Sequence, residues 1–556
     1  MSYVIIEKTL IAEWENIMIK VTNLSFEFPQ KDLYNNIYFE IADGEHAVLI
    51  GSNGTGKSTL INLIMNQDKY MFEGRIDMPD NIRIGYVSQY TTHEGNQGVY
   101  EYLSEPFTEL LARADQAAMA MGEAEDMEAA YEDFQKLQDQ IDAMDAYNYD
   151  ANIRKQLAAA ELDYLLENTV DKISGGEYKL LSIIRNMLLK PQLLIMDEPD
   201  AFLDFENLVG LSKLINGYSG TMLVISHNRL LLGQCFDKVL HIENCELQEF
   251  PGTFAEYSRS VLETKTLAAE QAAKDEEWIA VQEKLLNNLR KKASMYANAK
   301  TGAQVKARAT YLERLQKRKT RNPFIEDHNY DLHFPKADSE TWGADEIVFQ
   351  LKDYSLAYDT TLLEHVNLQI RKGEKVALVG ANGTGKSSML RDIVQLTKST
   401  LPEASVAYFS QIYEDTEQLS GGEKNIKQLR EICQSSAELL LLDEPTSHLD
   451  TYAQIALEKA IDEYEGTVFM VSHDFYTVVN CVDRILLIED GQVKEMSSRA
   501  FRKRIYKRYF ASDVFEQEKQ LKELEVRVNS LLKKGNYKEA KSLLDELPPH
   551  TRDFSR

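Results

Sequence analysis

Two lysines stand at the end of near-identical glycine runs, GSNGTGKST from Gly51 to Thr59 and GANGTGKSS from Gly380 to Ser388. Gly51, Gly54 and Gly56, like Gly380, Gly383 and Gly385, let main-chain N–H groups wrap phosphate oxygens, with Asn53 and Asn382 inside the loops. Lys57 and Lys386 suit the outer phosphates. The hydroxyls that follow, Ser58 and Ser387, suit Mg²⁺, and Thr59 and Ser388 close the runs. Paired acids come later, Asp197-Glu198 at the end of LLIMDE and Asp443-Glu444 at the end of LLLLDE. The first of each pair, Asp197 or Asp443, suits the Mg²⁺ shell. The second, Glu198 or Glu444, can orient or deprotonate an attacking water. His227 and His473, each preceded by serine, can contact a terminal phosphate.

Ser-Gly-Gly-Glu lies between glycine run and acids in both copies, as Ser174-Gly175-Gly176 and Ser420-Gly421-Gly422 with their glutamates. At a helix start it offers a second phosphate clamp. The interval from Ser174 to Asp197 equals that from Ser420 to Asp443, and the interval from Asp197 to His227 equals that from Asp443 to His473. One glycine run can be a structural turn, and one apolar strand ending in acids can be plain core. An ordered set repeated in register is neither, and it reads as a tandem ATPase using ATP and Mg²⁺.

The elements that must carry these residues follow from periodicity. His46 to Ile50 is a short apolar strand running into the first glycine loop, and Thr59 to Met65 has helical spacing. A long helical insert separates Gln89 from Ser174, and its front part is acidic. From about Ser258 to Arg321 the pattern is two long helices turning near Met295 to Ala303. The turn and return helix are basic: Arg290, Lys291, Lys292, Lys300, Lys306, Arg308, Arg314, Lys317, Arg318, Lys319 and Arg321, opposed by Glu313. The tail opens with a second basic run from Arg499 and ends in a pair of amphipathic helices joined at Gly535-Asn536. The expected domains are a leader (1–17), a first nucleotide-binding domain with helical insert (18–257), a basic helical linker (258–340), a second nucleotide-binding domain with a shortened helical part (341–498) and a C-terminal helical extension (499–556). The leader is either a true extension or an early start, since MIKVTNLSF from Met18 reads as a natural first strand.

At 556 residues the chain exceeds one ordinary domain, and 44% hydrophobic with 27% charged residues is a globular composition. No apolar run approaches the roughly 18–20 residues that span a bilayer, and no signal peptide is visible. Cys235, Cys245, Cys433 and Cys481 lack CxxC spacing and fit a reducing cytoplasm. The net charge of −27 argues against nucleic acid when taken whole. Read by region, it leaves the linker as one concentrated cationic protrusion on an acidic protein, which favours contact with RNA phosphates there.

Together the glycine runs, SGGE, paired acids and histidines resemble the ATP-binding cassette superfamily, and EPTSHLD (Glu444 to Asp450) is close to the EPTNHLD typical of ABC-F proteins. The chain from Met18 onward is similar to that subfamily. The resemblance implies an α/β fold: two P-loop ATP-binding cassette domains joined by a long α-helical hairpin linker, with a short helical C-terminal extension. It implies that the signature of one cassette completes the ATP site of the other. One site then joins Lys57, Ser58, Gln89, Asp197, Glu198 and His227 to Ser420, Gly421 and Gly422. The other joins Lys386, Ser387, Gln411, Asp443, Glu444 and His473 to Ser174, Gly175 and Gly176. Gln89 and Gln411 would join the Mg²⁺ shell, and Phe28 and Tyr358 would stack on adenine. The partner implied is the ribosome, through rRNA and tRNA at the exit and P sites, with the linker directed toward the peptidyl-transferase centre. Lys291, Lys292, Lys300, Lys306, Arg308, Lys317, Arg318 and Lys319 are the candidate RNA contacts. A monomer with its cassettes paired within the chain is expected.

Two further functions stay open within the resemblance: a general translation factor and antibiotic resistance by target protection. The short linker tip leans toward the former. An exporter's energy subunit and a DNA-associated mechanical ATPase fit the linker less well. Three departures stand out. The first cassette has EPDAFLD (Glu198 to Asp204), Asn228 stands where the second has Asp474, and almost nothing separates Gln411 from the second signature. The last predicts unequal sites, with the one built on Lys386 the more active.

Overall fold

The computed structural model describes residues 17–29, 31–89, 95–121, 126–295, 299–317, 330, 332–335, 346–358, 361–400, 406–410, 421–509 and 512–545. The chain divides into two compact units, Met1–Pro251 with His328–Phe510, and Gly252–Asp327 with Ala511–Arg556.

The first unit contains the duplication. His46–Ile50, Leu193–Asp197 and Thr221–Ile225 are buried along their whole length. Short apolar runs covered on both faces are strands of a parallel sheet. They lie in a six-stranded sheet whose spatial order is Ile84–Val87, Leu193–Asp197, Thr221–Ile225, His46–Ile50, Lys238–Glu243, Glu246–Pro251. All neighbours pair in parallel except the last two strands. The second half repeats this order with Val406–Phe409, Leu439–Asp443, Thr467–Val471, Lys375–Gly380, Arg484–Glu489 and Gln492–Ser497. Its last pair is again the antiparallel one. Matched spacing in the sequence is therefore matched topology. Both glycine loops and both acid pairs leave the carboxyl ends of parallel strands, where such sheets bind ligands.

A smaller antiparallel sheet flanks each copy. Ile17–Phe28 pairs with Lys31–Ala42 and Glu73–Asp77, and Ile347–Ala357 pairs with Thr361–Arg371. Ile19, Val21, Phe39 and Ile41 pack with Leu49, Leu60 and Ile195, and Val348, Leu368, Leu378, Met389 and Leu441 form the matching core of the second half.

The insert of the first half is the helices Val99–Met121, Met127–Met144 and Tyr149–Ala159. Asp126 caps the second of these by accepting the Ala129 N–H at 3.1 Å. In the second half, Ser410 follows the strand Val406–Phe409, and the next described element is the helix Gly421–Cys433. The basic run after Ser497 is a helix, Ser498–Tyr509, whose Phe501 and Tyr506 are buried. Phe501 lies 5.7 Å from Phe205 of the first half and 6.3 Å from Phe475 of the second.

In the second unit, Phe254–Met295 is a 42-residue helix and Ala299–Lys317 a 19-residue one. Arg308 of the return helix donates to Gln282, and Gln316 Nε2 donates to Glu283 at 3.4 Å, so the two form a hairpin. The C-terminal helices Ser512–Lys533 and Tyr537–Asp545 pack Leu524, Val528, Ala540 and Leu544 on Leu262 at the base of the long helix. Gly535 sits between them at φ +76, the left-handed conformation that such a helix end favours. Among the described residues, no helix is long and apolar enough to cross a membrane.

Candidate active sites

Each glycine loop runs from a buried strand to a helix that starts at its lysine, Lys57–Met65 or Lys386–Thr400. At Gly51 a β-carbon would lie 2.1 Å from the Ile242 carbonyl oxygen, so only glycine lets the loop leave its strand this close to the neighbouring one. Lys57 Nζ donates to Gly51 O at 2.8 Å and Ser52 O at 2.9 Å. Lys386 Nζ donates to Gly380 O at 2.9 Å and Ala381 O at 2.7 Å. Both ammonium groups are buried inside their loops. Burial pushes their pKa down, and Glu198 and Glu444 oppose that shift.

The next residue reaches the first acid. Ser387 Oγ donates to Asp443 Oδ1 at 2.9 Å, and Ser58 hydrogen-bonds Asp197 in the same way. Burial raises the pKa of both aspartates. A hydroxyl beside a buried carboxylate, next to an ammonium, is the donor set that holds Mg²⁺ on a nucleotide's phosphates.

The second acid follows in a left-handed step of the backbone, φ +46 at Glu198 and +50 at Glu444. Glu444 is buried, and burial lifts its pKa to about 7 although its Oε2 accepts the His473 N–H at 3.1 Å. His473 Nε2 stands 3.5 Å from Glu444 Oε1. Burial and the nearby Lys386 keep this ring neutral, so the contact is not an ion pair. Glu198, also raised by burial and by the charge of Asp197, instead takes a hydrogen bond from Gln89 Nε2. Both ring nitrogens of His227, Nδ1 of His473 and Oε1 of Glu444 are buried without a hydrogen-bond partner. Such orphans are rare in native interiors, and here they lie beside the lysines of the two glycine loops.

The two halves meet across these loops. Asn53 N donates to Asp450 Oδ2 at 3.0 Å, and Asn53 Nδ2 donates to His448 O at 2.8 Å. In mirror fashion, Asn382 N donates to Asp204 Oδ2 at 2.8 Å, and Asn382 Nδ2 donates to Phe202 O at 2.8 Å. A β-carbon on Gly422 would lie 2.1 Å from Asn53 Nδ2, and one on Gly176 3.3 Å from Asn382 Nδ2. Each signature thus faces the other half's glycine loop. A cavity of about 680 Å³ joins Ser174, Gly175 and Gly176 to Asn382, Gly383, Gly385, Lys386, Ser387, Ser388, Glu444 and His473. Tyr358 lines it, 67% exposed, with its hydroxyl donating to Ser388 Oγ at 3.1 Å. Phe28 is 47% exposed and meets Phe26 edge-on at 5.2 Å. Gln411 and Ser420 lie outside the described residues, so neither set can be followed to its last member.

The structure adds residues that the sequence reading did not pick out. Asp204 and Asp450 hold the opposite loop while capping their own helices, accepting Asn207 N at 2.9 Å and Ala453 N at 2.8 Å. Their signal was the N-cap position before an amphipathic run. The glutamate of SGGE also has a local duty. Glu177 Oε2 accepts the Ser174 N–H at 2.7 Å while Ser174 Oγ accepts the Glu177 N–H at 3.2 Å, a capping box readable as S-x-x-E. Lys179 Nζ donates to Ser88 O and, at 2.9 Å, to Gln89 O, pinning the stretch that presents Gln89. Burial draws this lysine down to about 8.

On the helical hairpin, Lys291, Lys292 and Lys306 are exposed, whereas Arg308 is half-buried against Gln282. Lys300 and Lys317 belong to the return helix, their side chains outside the description, and Arg318 and Lys319 lie outside the described residues.

The ABC transporter family profile matches residues 34–201 and 363–408. The ABC transporter ATP-binding protein YfmM of Bacillus subtilis is 29% identical over 516 residues, covering 83% of this chain and 96% of YfmM. ABC transporter F family member 5 of Arabidopsis thaliana is 27% identical over 541 residues, 86% of this chain and 76% of that protein. Among solved structures, archaeal ABCE1 from a ribosome-bound assembly with Pelota superposes with a TM-score of 0.52 at 18% identity, covering 88% of this chain and 80% of that one. That likeness bears on the fold alone.

Proposed function

We propose that the chain is an ATP-binding cassette protein of the ABC-F type, an ATPase that acts on the ribosome from the cytoplasm. The observation that carries the reading is the reciprocal pairing of the two halves. Asn53 and Asn382 are each held by the opposite cassette, beside its signature glycines. That arrangement supports two composite ATP sites inside one chain, which close when nucleotide bridges glycine loop and signature.

In this reading, the loop N–H groups and Lys57 or Lys386 cradle the phosphates. Ser58 with Asp197, and Ser387 with Asp443, hold Mg²⁺, with Gln89 and Gln411 at its edge. Held there, Mg²⁺ would supply positive charge to offset that of the phosphates. Glu444 takes the proton of the attacking water; a carboxyl raised to about 7 is matched to that task near neutral pH. Glu198, oriented by Gln89, does the same at the other site. His473 and His227, neutral in their buried settings, contact the terminal phosphate. Phe28 and Tyr358 lie against the base.

The basic hairpin supports the ribosomal part. Lys291, Lys292 and Lys306 are exposed cations on the helix pair of a chain that is acidic as a whole. A Glu198→Gln/Glu444→Gln double variant should bind ATP, fail to hydrolyse it and pellet with ribosomes through a sucrose cushion only when ATP is present. ATP binding without pelleting would refute the ribosomal assignment, and pelleting with membranes would point to an exporter partner.

A further inference from the structure

The two cassettes break their symmetry as a set at one place beside the histidines. Arg229 of the first half reaches into the second. Its guanidinium donates to Glu458 Oε1 and, at 3.3 Å, to Asp474 Oδ1, and it lies 4.5 Å from the centre of the Tyr476 ring. All three charged side chains are nearly buried, 13%, 12% and 10% exposed for Arg229, Glu458 and Asp474. At matched positions of the repeat, Arg229 corresponds to Phe475, Asp474 to Asn228 and Glu458 to Ser212. No charge of this kind therefore runs the other way. Asn228 serves its own helix, accepting Leu230 N at 3.0 Å, and Ser212 Oγ lies against Cys235 Sγ at 3.3 Å.

Asp474 is not an isolated partner. Its carboxylate accepts the Thr477 N–H at 2.6 Å at the start of the helix Phe475–Cys481, and its own N–H donates to Ser472 Oγ at 3.0 Å. Glu458 accepts from Thr477 Oγ1 at 3.2 Å and Asn480 Nδ2 at 3.0 Å, so it grips the same turn. The residue before Asp474 is His473, whose N–H donates to Glu444 at 3.1 Å. A buried guanidinium nitrogen from one half, bonded to both acids, thus fixes the turn that aims the catalytic acid of the other. A charge-assisted contact of this kind has both direction and reach.

We infer that Arg229 is a positioning residue acting in trans. Through Asp474 it sets the His473 turn, and with it Glu444, of the Lys386 site, and it has no counterpart serving the Lys57 site. The inference rests on the reading that the Lys386 site hydrolyses ATP. It couples that hydrolysis to cassette closure, because Arg229 reaches Asp474 only while the halves are together.

The test is Arg229→Ala and Arg229→Lys, each in two backgrounds and each read in single turnover. Glu198→Gln leaves the Lys386 site competent, and Glu444→Gln leaves the Lys57 site. In Glu198→Gln, Arg229→Ala should lower the rate of phosphate formation about tenfold or more with little change in the ATP concentration for half-maximal rate, as expected when positioning and not binding is lost. Arg229→Lys, which keeps the charge without the planar guanidinium, should recover part of it, and Asp474→Asn should reproduce the alanine loss. In Glu444→Gln, Arg229→Ala should change the rate less than about twofold. Equal losses in the two backgrounds, with folding shown intact by thermal melting, would mean that Arg229 merely holds the cassettes together, and the inference would fall. No loss in either background would also overturn it. A wild-type chain that binds ATP but hydrolyses none would instead remove the underlying reading.

Discussion

Gly422 and Gly176 occupy the same place in the two signatures, yet alanine should affect them very differently. At Gly422 the added methyl carbon would lie 2.1 Å from Asn53 Nδ2 and 2.6 Å from the His448 carbonyl oxygen. The carbonyl is backbone and cannot swing aside, so Asn53 must leave. It then loses its 2.8 Å bond to that carbonyl, worth about 1 kcal/mol net. Crowding of the packed contact adds about 1–3 kcal/mol. The sum, about 2–4 kcal/mol, opposes the closed arrangement and corresponds to roughly 30-fold to several hundredfold in the closing equilibrium. At Gly176 the nearest atoms are Asn207 Nδ2 at 2.8 Å and Asn382 Nδ2 at 3.3 Å, both ends of side chains. The Asn382 amide need give only a few tenths of an ångström and the Asn207 amide, within its own half, swings away, for less than about 1 kcal/mol against closure, or roughly fivefold. The assay is an ATP titration of closure by energy transfer between dyes on the two cassettes, in the Glu198→Gln/Glu444→Gln background. Gly422→Ala should move the midpoint far to higher ATP, and Gly176→Ala only slightly. Equal shifts for the two variants would refute the geometry from which the difference is derived.

Separate Glu198→Gln and Glu444→Gln variants should lose unequal shares of steady-state phosphate release, with the larger loss in Glu444→Gln; equal losses would count against distinct sites. Hydrolysis by the Glu198→Gln variant should rise with pH through about 7, where Glu444 ionises, and a flat profile from pH 6 to 8 would exclude it as the base. The same shift has a stability consequence. A carboxyl whose folded pKa lies above its unfolded value of about 4.5 binds its proton more tightly when folded, so its contribution falls as pH rises from there to about 7. Glu444→Gln should therefore melt higher than wild type at pH 8, with the gap nearly closed at pH 4.5. Reversing Lys291, Lys292 and Lys306 to glutamate should weaken ribosome binding and reduce the log–log salt slope by about 2–3; an unchanged slope would take these side chains off the RNA.

The duplicated loops, acids and histidines were legible because each depends on short-range grammar: apolar strand, glycine turn, helix start. Their topology followed, since a repeated spacing can only be threaded through a repeated sheet. What the sequence withheld depends on which distant stretches face each other. EPDAFLD stood out as a departure from the second copy, yet the contact between cassettes runs through its Phe202 carbonyl and Asp204, matching the His448 carbonyl and Asp450. A backbone carbonyl is indifferent to the side chain that bears it. Arg229 and Glu458 were silent, and Asp474 stood out only as a difference from Asn228, because nothing local to any of them announces the contact between halves. Lys179 was hidden in the signature helix for the same reason: its targets are the main-chain oxygens of Ser88 and Gln89 on another element.

The mirrored asparagine contacts have a consequence for how the protein responds to dilution. Each half offers one loop and accepts one loop, so the pair is self-complementary about a pseudo-twofold axis and satisfies both surfaces in a single encounter. The two partners share one chain, so that encounter is intramolecular. Tethered modules meet at effective concentrations in the millimolar range, whatever the protein concentration in the tube. Closure becomes a first-order event, set by nucleotide and by strain in the tether.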